Sequence, residues 1–372
     1  MSSQDKKKQP ANPSALNVRK GVDGGHDGLP GHSTGSGGDN GDGPRRRLLS
    51  AREYIDGVLS GDRVLLARAI TLIESNASAH QEVAQEVLTA LLPRRCESIR
   101  VGITGVPGAG KSTFIEALGK GLTSRGHQVA VTAVDPSSSL TGGSILGDKT
   151  RMEKLAADPN AFIRPSPTGG TLGGVARKTR ETIMLFEAAG FDVILVETVG
   201  VGQSEIQVRS MVDFFLLVLL AGAGDELQGI KKGVVEIADA ILVNKADGKG
   251  LAAARSARSE FERVLHYLRP ATEGWVTGAF NCSSATGEGV MEMWAVVEKF
   301  AELTRGSGVH DRRRSTQEQA WVRALVREGL EDLFQSHPGV SEQMAILEQQ
   351  VARGELPATS AARKLLDMFR NG

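Results

Sequence analysis

Residues Gly105 to Ser112 read G-V-P-G-A-G-K-S, two glycines five positions apart followed by a lysine and a hydroxyl residue. That spacing suits phosphate chemistry. Gly105, Gly108 and Gly110 let the backbone curl until successive N–H groups point at one anion. Lys111 is placed to reach the β- and γ-phosphates and Ser112 to ligate Mg²⁺, with Val106, Pro107, Ala109 and Thr113 completing the cradle. The expected ligand is a nucleoside triphosphate.

A second group of residues can read the base. Asn244-Lys245-Ala246-Asp247 follows an apolar run and fits N-K-x-D. A carboxylate at Asp247 accepts hydrogen bonds from N1–H and the N2 amino group of guanine, a donor pair that adenine lacks. Asn244 is expected to face the base and its loop, and the Lys245 stem to cover one face of the ring. Ser284 and Ala285, in S-A-T-G, resemble the base-contacting S-A loop of GTPases.

A third group suits the metal and the γ-phosphate. Glu197 ends the run F-D-V-I-L-V-E, where an acidic residue holds Mg²⁺ directly or through water, and Gly200 is placed to offer its N–H to the γ-phosphate. Asp135 and Asp148 are the other carboxylates expected near the metal. Val201 stands where Ras-like enzymes carry the glutamine that orients water, so unaided hydrolysis is expected to be slow.

These residues need strand ends and loops to hold them. Apolar runs predict strands at 98–104, 128–134, 160–164, 191–197, 213–221, 240–244 and 275–282, with helical segments between most of them. The pattern predicts an α/β, doubly wound, mostly parallel sheet, with ligands beyond the C-terminal strand ends. N-terminal helices are expected over about 48–92, and three apolar stripes after Arg312-Arg313-Arg314 predict a C-terminal helical arm. The stripes are Trp321, Leu325, Leu330, Leu333 and Phe334; then Val340, Met344, Leu347 and Val351; then Leu365, Leu366 and Phe369. Such helices need a surface to bury against, either this chain or a second copy. The expected divisions are a tail at 1–44, an N-terminal helical segment at 45–95, the nucleotide domain at 96–307 and the arm at 308–372.

Composition narrows the classes. Ten glycines, no aromatic residue and few aliphatics in residues 1–44 predict a disordered tail, closed by a solvated Arg45-Arg46-Arg47 cluster. A net charge of zero gives no general attraction to nucleic acid or anionic lipid. Cys96 and Cys282 have no metal-type spacing, His26 and His32 sit isolated, and the longest apolar run, Phe214 to Ala223, is too short to span a bilayer. A cytoplasmic compartment is expected.

Five further segments carry a family resemblance: D-P-S-S (135–138), G-G-S-I-L-G-D-K-T-R-M (142–152), R-P-S-P-T-G-G-T-L-G-G (164–174), E-T-V-G-V-G-Q-S-E (197–205) and G-D-E-L-Q-G-I-K (224–231). Together they resemble the MeaB/MMAA (ArgK-like) group of P-loop GTPases. The resemblance covers roughly residues 50 to 370. It implies a GTP/GDP- and Mg²⁺-binding chaperone of an adenosylcobalamin-dependent acyl-CoA mutase, with a cobalamin adenosyltransferase as a further partner and a homodimer as the assembly. It implies that 135–152 is switch I, 197–205 switch II and 224–231 switch III, with Asp135, Asp148, Glu197 and Lys231 in switch or catalytic roles beside Lys111. Methylmalonyl-, isobutyryl-, ethylmalonyl- and 2-hydroxyisobutyryl-CoA mutases all remain open as clients. A small-molecule kinase of the arginine/ornithine transport type and a metallochaperone GTPase are the competing readings.

Overall fold

The computed structural model describes residues 49–134, 152–165, 172–198, 204–220 and 232–371, and Ser50–Gly372 forms one unit. The expected tail, Asp135, Asp148, Gly200, Lys231 and most of the three switch segments lie outside the described residues.

Seven parallel strands stand in the order β3-β2-β4-β1-β5-β6-β7. They are β1 (Ile99–Thr104), β2 (Val129–Val134), β3 (Ala161–Arg164), β4 (Val193–Thr198), β5 (Phe214–Leu220), β6 (Ala240–Asn244) and β7 (Gly278–Asn281). Every run expected to be a strand is one. The bounds shift by a residue or two, and most at 275–282, where only Gly278–Asn281 pair with β6. Parallel strands covered on both faces read as unbroken apolar runs. In β5, F-F-L-L-V-L-L, all residues but the last are buried.

On one face lie α4 (Lys111–Thr123) and α10 (Val290–Gly306). Their Phe114, Leu118, Trp294 and Phe300 share a core with Val101, Leu195 and Phe214 of the sheet. α9 (Leu251–His266) covers β6 and β7 through Ala254 and Phe261.

The N-terminal segment is three helices, α1 (Ala51–Leu59), α2 (Arg63–Glu74) and α3 (Ser78–Leu91). The apolar spacing ran through the first break without a signal. What interrupts it is capping: Asp62 accepts from the Val64 and Leu65 N–H groups and starts α2 afresh. Ser50 and Glu53 form a reciprocal capping box on α1. α6 (Leu172–Ala188) packs against α2 and α3.

The C-terminal helices are α11 (Val309–Ser336), α12 (Pro338–Ala352) and α13 (Ala358–Asn371). α12 and α13 close a small core of Val340, Leu347, Ala361 and Leu365, with Phe334 of α11 against it. The Arg312-Arg313-Arg314 run lies in the first two turns of α11. Arg314 grips the buried Asp213 carboxylate with two hydrogen bonds of 2.8 and 2.7 Å and also donates to the Ser98 carbonyl at 3.0 Å. Burial alone would raise the Asp213 pKa. Hydrogen bonds from Arg314 and His310 reverse that and hold the carboxyl far below the usual range.

Candidate functional site

The glycine loop joins β1 to α4 at the C-terminal edge of the sheet. Gly105 (φ 148°), Gly108 (φ 81°) and Gly110 (φ 86°) all take positive φ. At Gly105 the requirement is absolute, because a Cβ would lie 1.9 Å from the Val218 carbonyl oxygen of β5. The loop is thereby pressed onto the neighbouring strand. Lys111 begins α4, is buried, and donates from Nζ to the Gly105 carbonyl at 2.9 Å and the Val106 carbonyl at 3.3 Å. Its ammonium is folded back over the cradle it serves. Pro107, Gly108 and Thr113 face outward, whereas Ala109 is buried beneath the loop.

Ser112 and Glu197 are 85 residues apart in sequence, and the Ser112 hydroxyl donates to Glu197 Oε1 at 3.1 Å. A hydroxyl and a carboxylate meeting at the first turn of α4 offer two hard oxygen donors, the kind a small divalent cation takes. Adjacent β1–β4 pairing, with Ile103 opposite Glu197, brings them together. The sequence named both residues but could not measure their distance.

The base-reading group gathers at the ends of β6 and β7. Asn244 is buried, and its Nδ2 donates to the Ala109 carbonyl of the phosphate loop at 2.8 Å. Its Oδ1 accepts from the Ser284 N–H at 3.1 Å and the Ser284 hydroxyl at 2.8 Å. Asn244 therefore ties the two loops together through side-chain bonds, which is the loop-facing half of its expected role. Lys245 is exposed, with a left-handed φ of 59°. Asp247 is half-buried, and the Ser283 hydroxyl donates to its Oδ2 at 2.5 Å. Ala285 is exposed beside Ser284.

Two contributors were not singled out from the sequence. Ser283 holds the Asp247 carboxylate, and Cys282 lends its thiol to Asn244 Oδ1 at 3.3 Å. Burial pushes the Cys282 thiol up to about 12, so it serves as a weak donor and not as a nucleophile. A doubled serine before the S-A pair was the available signal for Ser283; nothing local marked Cys282.

The structure thus brings together Gly105 to Ser112, Glu197, Asn244 and Asp247 with Ser284. One edge of the sheet presents a glycine loop, a hydroxyl–carboxylate pair and the side chains of Asn244 and Asp247. Among the described residues no helix is long and apolar enough to cross a membrane.

Comparison with known proteins shows the family and the fold. The family model described as "Methylmalonyl Co-A mutase-associated GTPase MeaB" matches residues 66–339. The mouse protein named methylmalonic aciduria type A homolog, mitochondrial, is 46% identical over 325 residues, covering 85% of this chain and 78% of its own. The Escherichia coli K12 protein named GTPase ArgK is 47% identical over 276 residues, covering 74% and 83%. A solved structure titled as an LAO/AO transport system kinase superposes with a TM-score of 0.71 at 35% identity, covering 87% of this chain and all of that one. With a parallel-sheet phosphate-loop fold, an N-K-x-D sequence at the end of β6 and these relatives, the chain belongs to the MeaB family of methylmalonyl-CoA mutase-associated GTPases.

Proposed function

We propose that this protein is a Mg²⁺-dependent GTPase that reports its nucleotide state to an adenosylcobalamin-dependent acyl-CoA mutase, gating cofactor loading and protecting or reactivating that enzyme. The observation that carries the reading is the 3.1 Å approach of the Ser112 hydroxyl to Glu197, at the mouth of a glycine cradle whose far wall is tied to the base-reading loop by Asn244. The client class rests on the names of the family and of the mouse relative.

Backbone N–H groups of the glycine loop bind the phosphates, and Lys111 offsets charge that develops on the β–γ bridge as it breaks. Ser112 and Glu197 would hold the magnesium ion, with Asp135 and Asp148 as further candidates outside the described residues. When bound, the ion would supply charge neutralisation to the triphosphate. Glu197 leads directly into the glycine-bearing segment 199–203 and then α7 (Ser204–Arg209), so a contact made by Gly200 to the γ-phosphate would be lost on hydrolysis. Lys231 belongs to the third such segment. A partner senses this change only if it binds the two arrangements with different affinity. With Val201 in place of a water-orienting glutamine, hydrolysis is slow until the mutase contributes the missing group.

The assembly is a homodimer formed through the arm. Val322, Val326, Leu330 and Leu333 of α11 are each more than half exposed and recur at four- and three-residue spacing. Trp321, Leu325 and Phe334 of the same helix are half-buried, Trp321 beneath the Arg180 guanidinium and Phe334 against the α12–α13 core. A cobalamin adenosyltransferase is a further candidate partner, and the cytoplasm the expected compartment.

The decisive measurement is GTP turnover alone and with each candidate mutase, wild type beside Lys111→Ala. Stimulation by one mutase, abolished in the variant, is expected; equal rates with every mutase would overturn the client reading. The kinase title of the solved relative supports a second reading, phosphoryl transfer to a basic amino acid. Labelled GTP incubated with arginine and ornithine separates the two: only a kinase leaves a phosphorylated amino acid.

A further inference from the structure

The ladder between β1 and β4 runs from Ile99 opposite Val193 to Ile103 opposite Glu197 and then ends. One more residue of each strand, Thr104 and Thr198, precedes the point where the chains part to form the phosphate loop and the E-T-V-G segment. Each of these threonines keeps its neighbour on the outer side: Thr104 stands in register with Leu217 of β5, and Thr198 with Val134 of β2. Across the seam itself the backbone ladder gives way to side chains. The Thr198 hydroxyl donates to Thr104 Oγ1 at 2.7 Å, and the two residues are 0% and 1% exposed.

Position gives this bond its consequence. Thr104 immediately precedes Gly105, which is jammed against β5, and Thr198 immediately follows Glu197. Thr198 adjoins Glu197 directly, and Thr104 opens the loop that ends at Ser112 and is pinned against Val218 at Gly105, so a lateral slip between the two threonines is carried to the gap between Ser112 and Glu197. A hydrogen bond shielded from water holds its geometry more tightly than an exposed one, because neither hydroxyl can exchange its partner for solvent.

We propose that Thr104 and Thr198 are positioning residues for the hydrolytic reaction: their hydroxyl bridge sets the spacing of the phosphate loop and the Glu197 carboxylate, and so couples nucleotide binding to the divalent cation. Neither threonine touches substrate. The inference rests on Ser112 and Glu197 holding that cation, as proposed above.

Isosteric valine variants separate this role from simple stability. Thr104→Val or Thr198→Val alone leaves one hydroxyl buried without a partner and lowers the melting temperature, whereas the double variant removes both groups and recovers most of the loss. A merely structural bridge would return nucleotide behaviour to normal along with stability. On the proposal it does not return. In the double variant the Mg²⁺ concentration needed to slow release of a fluorescent GDP rises about tenfold, the lower range for residues that orient metal ligands. Release in EDTA stays at the wild-type rate, and Thr198→Ser, which keeps the hydroxyl, behaves as wild type in both. Unchanged Mg²⁺ dependence in the double variant overturns the proposal, as does a Thr198→Ser variant as defective as Thr198→Val. Glu197→Gln is the separate control: if it leaves the Mg²⁺ dependence untouched, the cation reading itself fails, whatever the threonine variants do.

Discussion

Asn244 Nδ2 lies 2.8 Å from the Ala109 carbonyl, joining the end of β6 to the phosphate loop across 135 residues of sequence. The same side chain accepts two bonds from Ser284, so one amide fixes the separation of the glycine loop from the loops that follow β6 and β7. Replacing it by alanine leaves the buried Ala109 carbonyl and Ser284 hydroxyl without these partners. At about 1–3 kcal/mol for such a loss, Asn244→Ala should weaken GDP and GTP roughly 10- to 100-fold. Titration calorimetry with each nucleotide checks this, and the loss should be similar for both because the tie does not involve the γ-phosphate.

On the proposed function, Asp247 carries the discrimination among purines. Its carboxylate is held by the Ser283 hydroxyl and, as an acceptor pair, matches the guanine N1–H and N2 amino donors. Asp247→Asn exchanges one acceptor for a donor. GTP affinity should fall by two orders of magnitude or more, and xanthosine triphosphate should become the better ligand. Competition between the two nucleotides on the variant is the test; retained preference for GTP refutes the base assignment.

Arg314 neutralises Asp213 at the root of α11, where the carboxylate is buried between the start of β5 and the arm. Removing one partner of such a pair strands the other charge. Arg314→Ala should cost about 3–5 kcal/mol in urea unfolding, and adding Asp213→Asn should recover much of that. Because the folded-state pKa of Asp213 is depressed, its stabilising contribution is present above the ordinary carboxylate range and drains away as pH falls through and below it. Wild type should therefore lose more stability on acidification than the Arg314→Ala, Asp213→Asn double variant.

Glu181 on α6 titrates in the opposite sense. Burial pushes its carboxyl up to about 7, against the pull of Arg177 and Lys178. A raised acid binds its proton more tightly in the folded state, so its contribution is complete below the ordinary pKa of 4.5 and is lost as pH climbs through about 7. Glu181→Gln keeps the shape without the charge. It should match wild type near pH 5 and exceed it by about 2–3 kcal/mol near pH 8, measured by urea unfolding at both values.

The strands were legible because parallel strands buried on both faces must be apolar throughout, and all seven runs became strands. The phosphate loop was legible because its glycines answer a local backbone demand, seen at Gly105, where no side chain fits. N-K-x-D announced itself by following such a strand. Apolar spacing does not mark the break between α1 and α2, because the Asp62 carboxylate that caps α2 contributes nothing to that spacing. Arg313 and Arg314 read as part of a charge run, yet Arg314 turns inward to a carboxylate 101 residues away.

What the sequence determined by itself were the elements and the chemical types at their ends: a glycine loop closed by a lysine and a hydroxyl, an acidic strand tip, and an amide and a carboxylate after β6. Tertiary structure alone decided which of these meet. Ser112 reaches Glu197, Asn244 reaches Ala109 and Thr198 reaches Thr104 because β4 and β5 flank β1 in the sheet, with β6 next to β5. Residue spacing along a chain fixes which face a side chain takes, but strand order and register are set by how the whole core packs, and no local pattern encodes them.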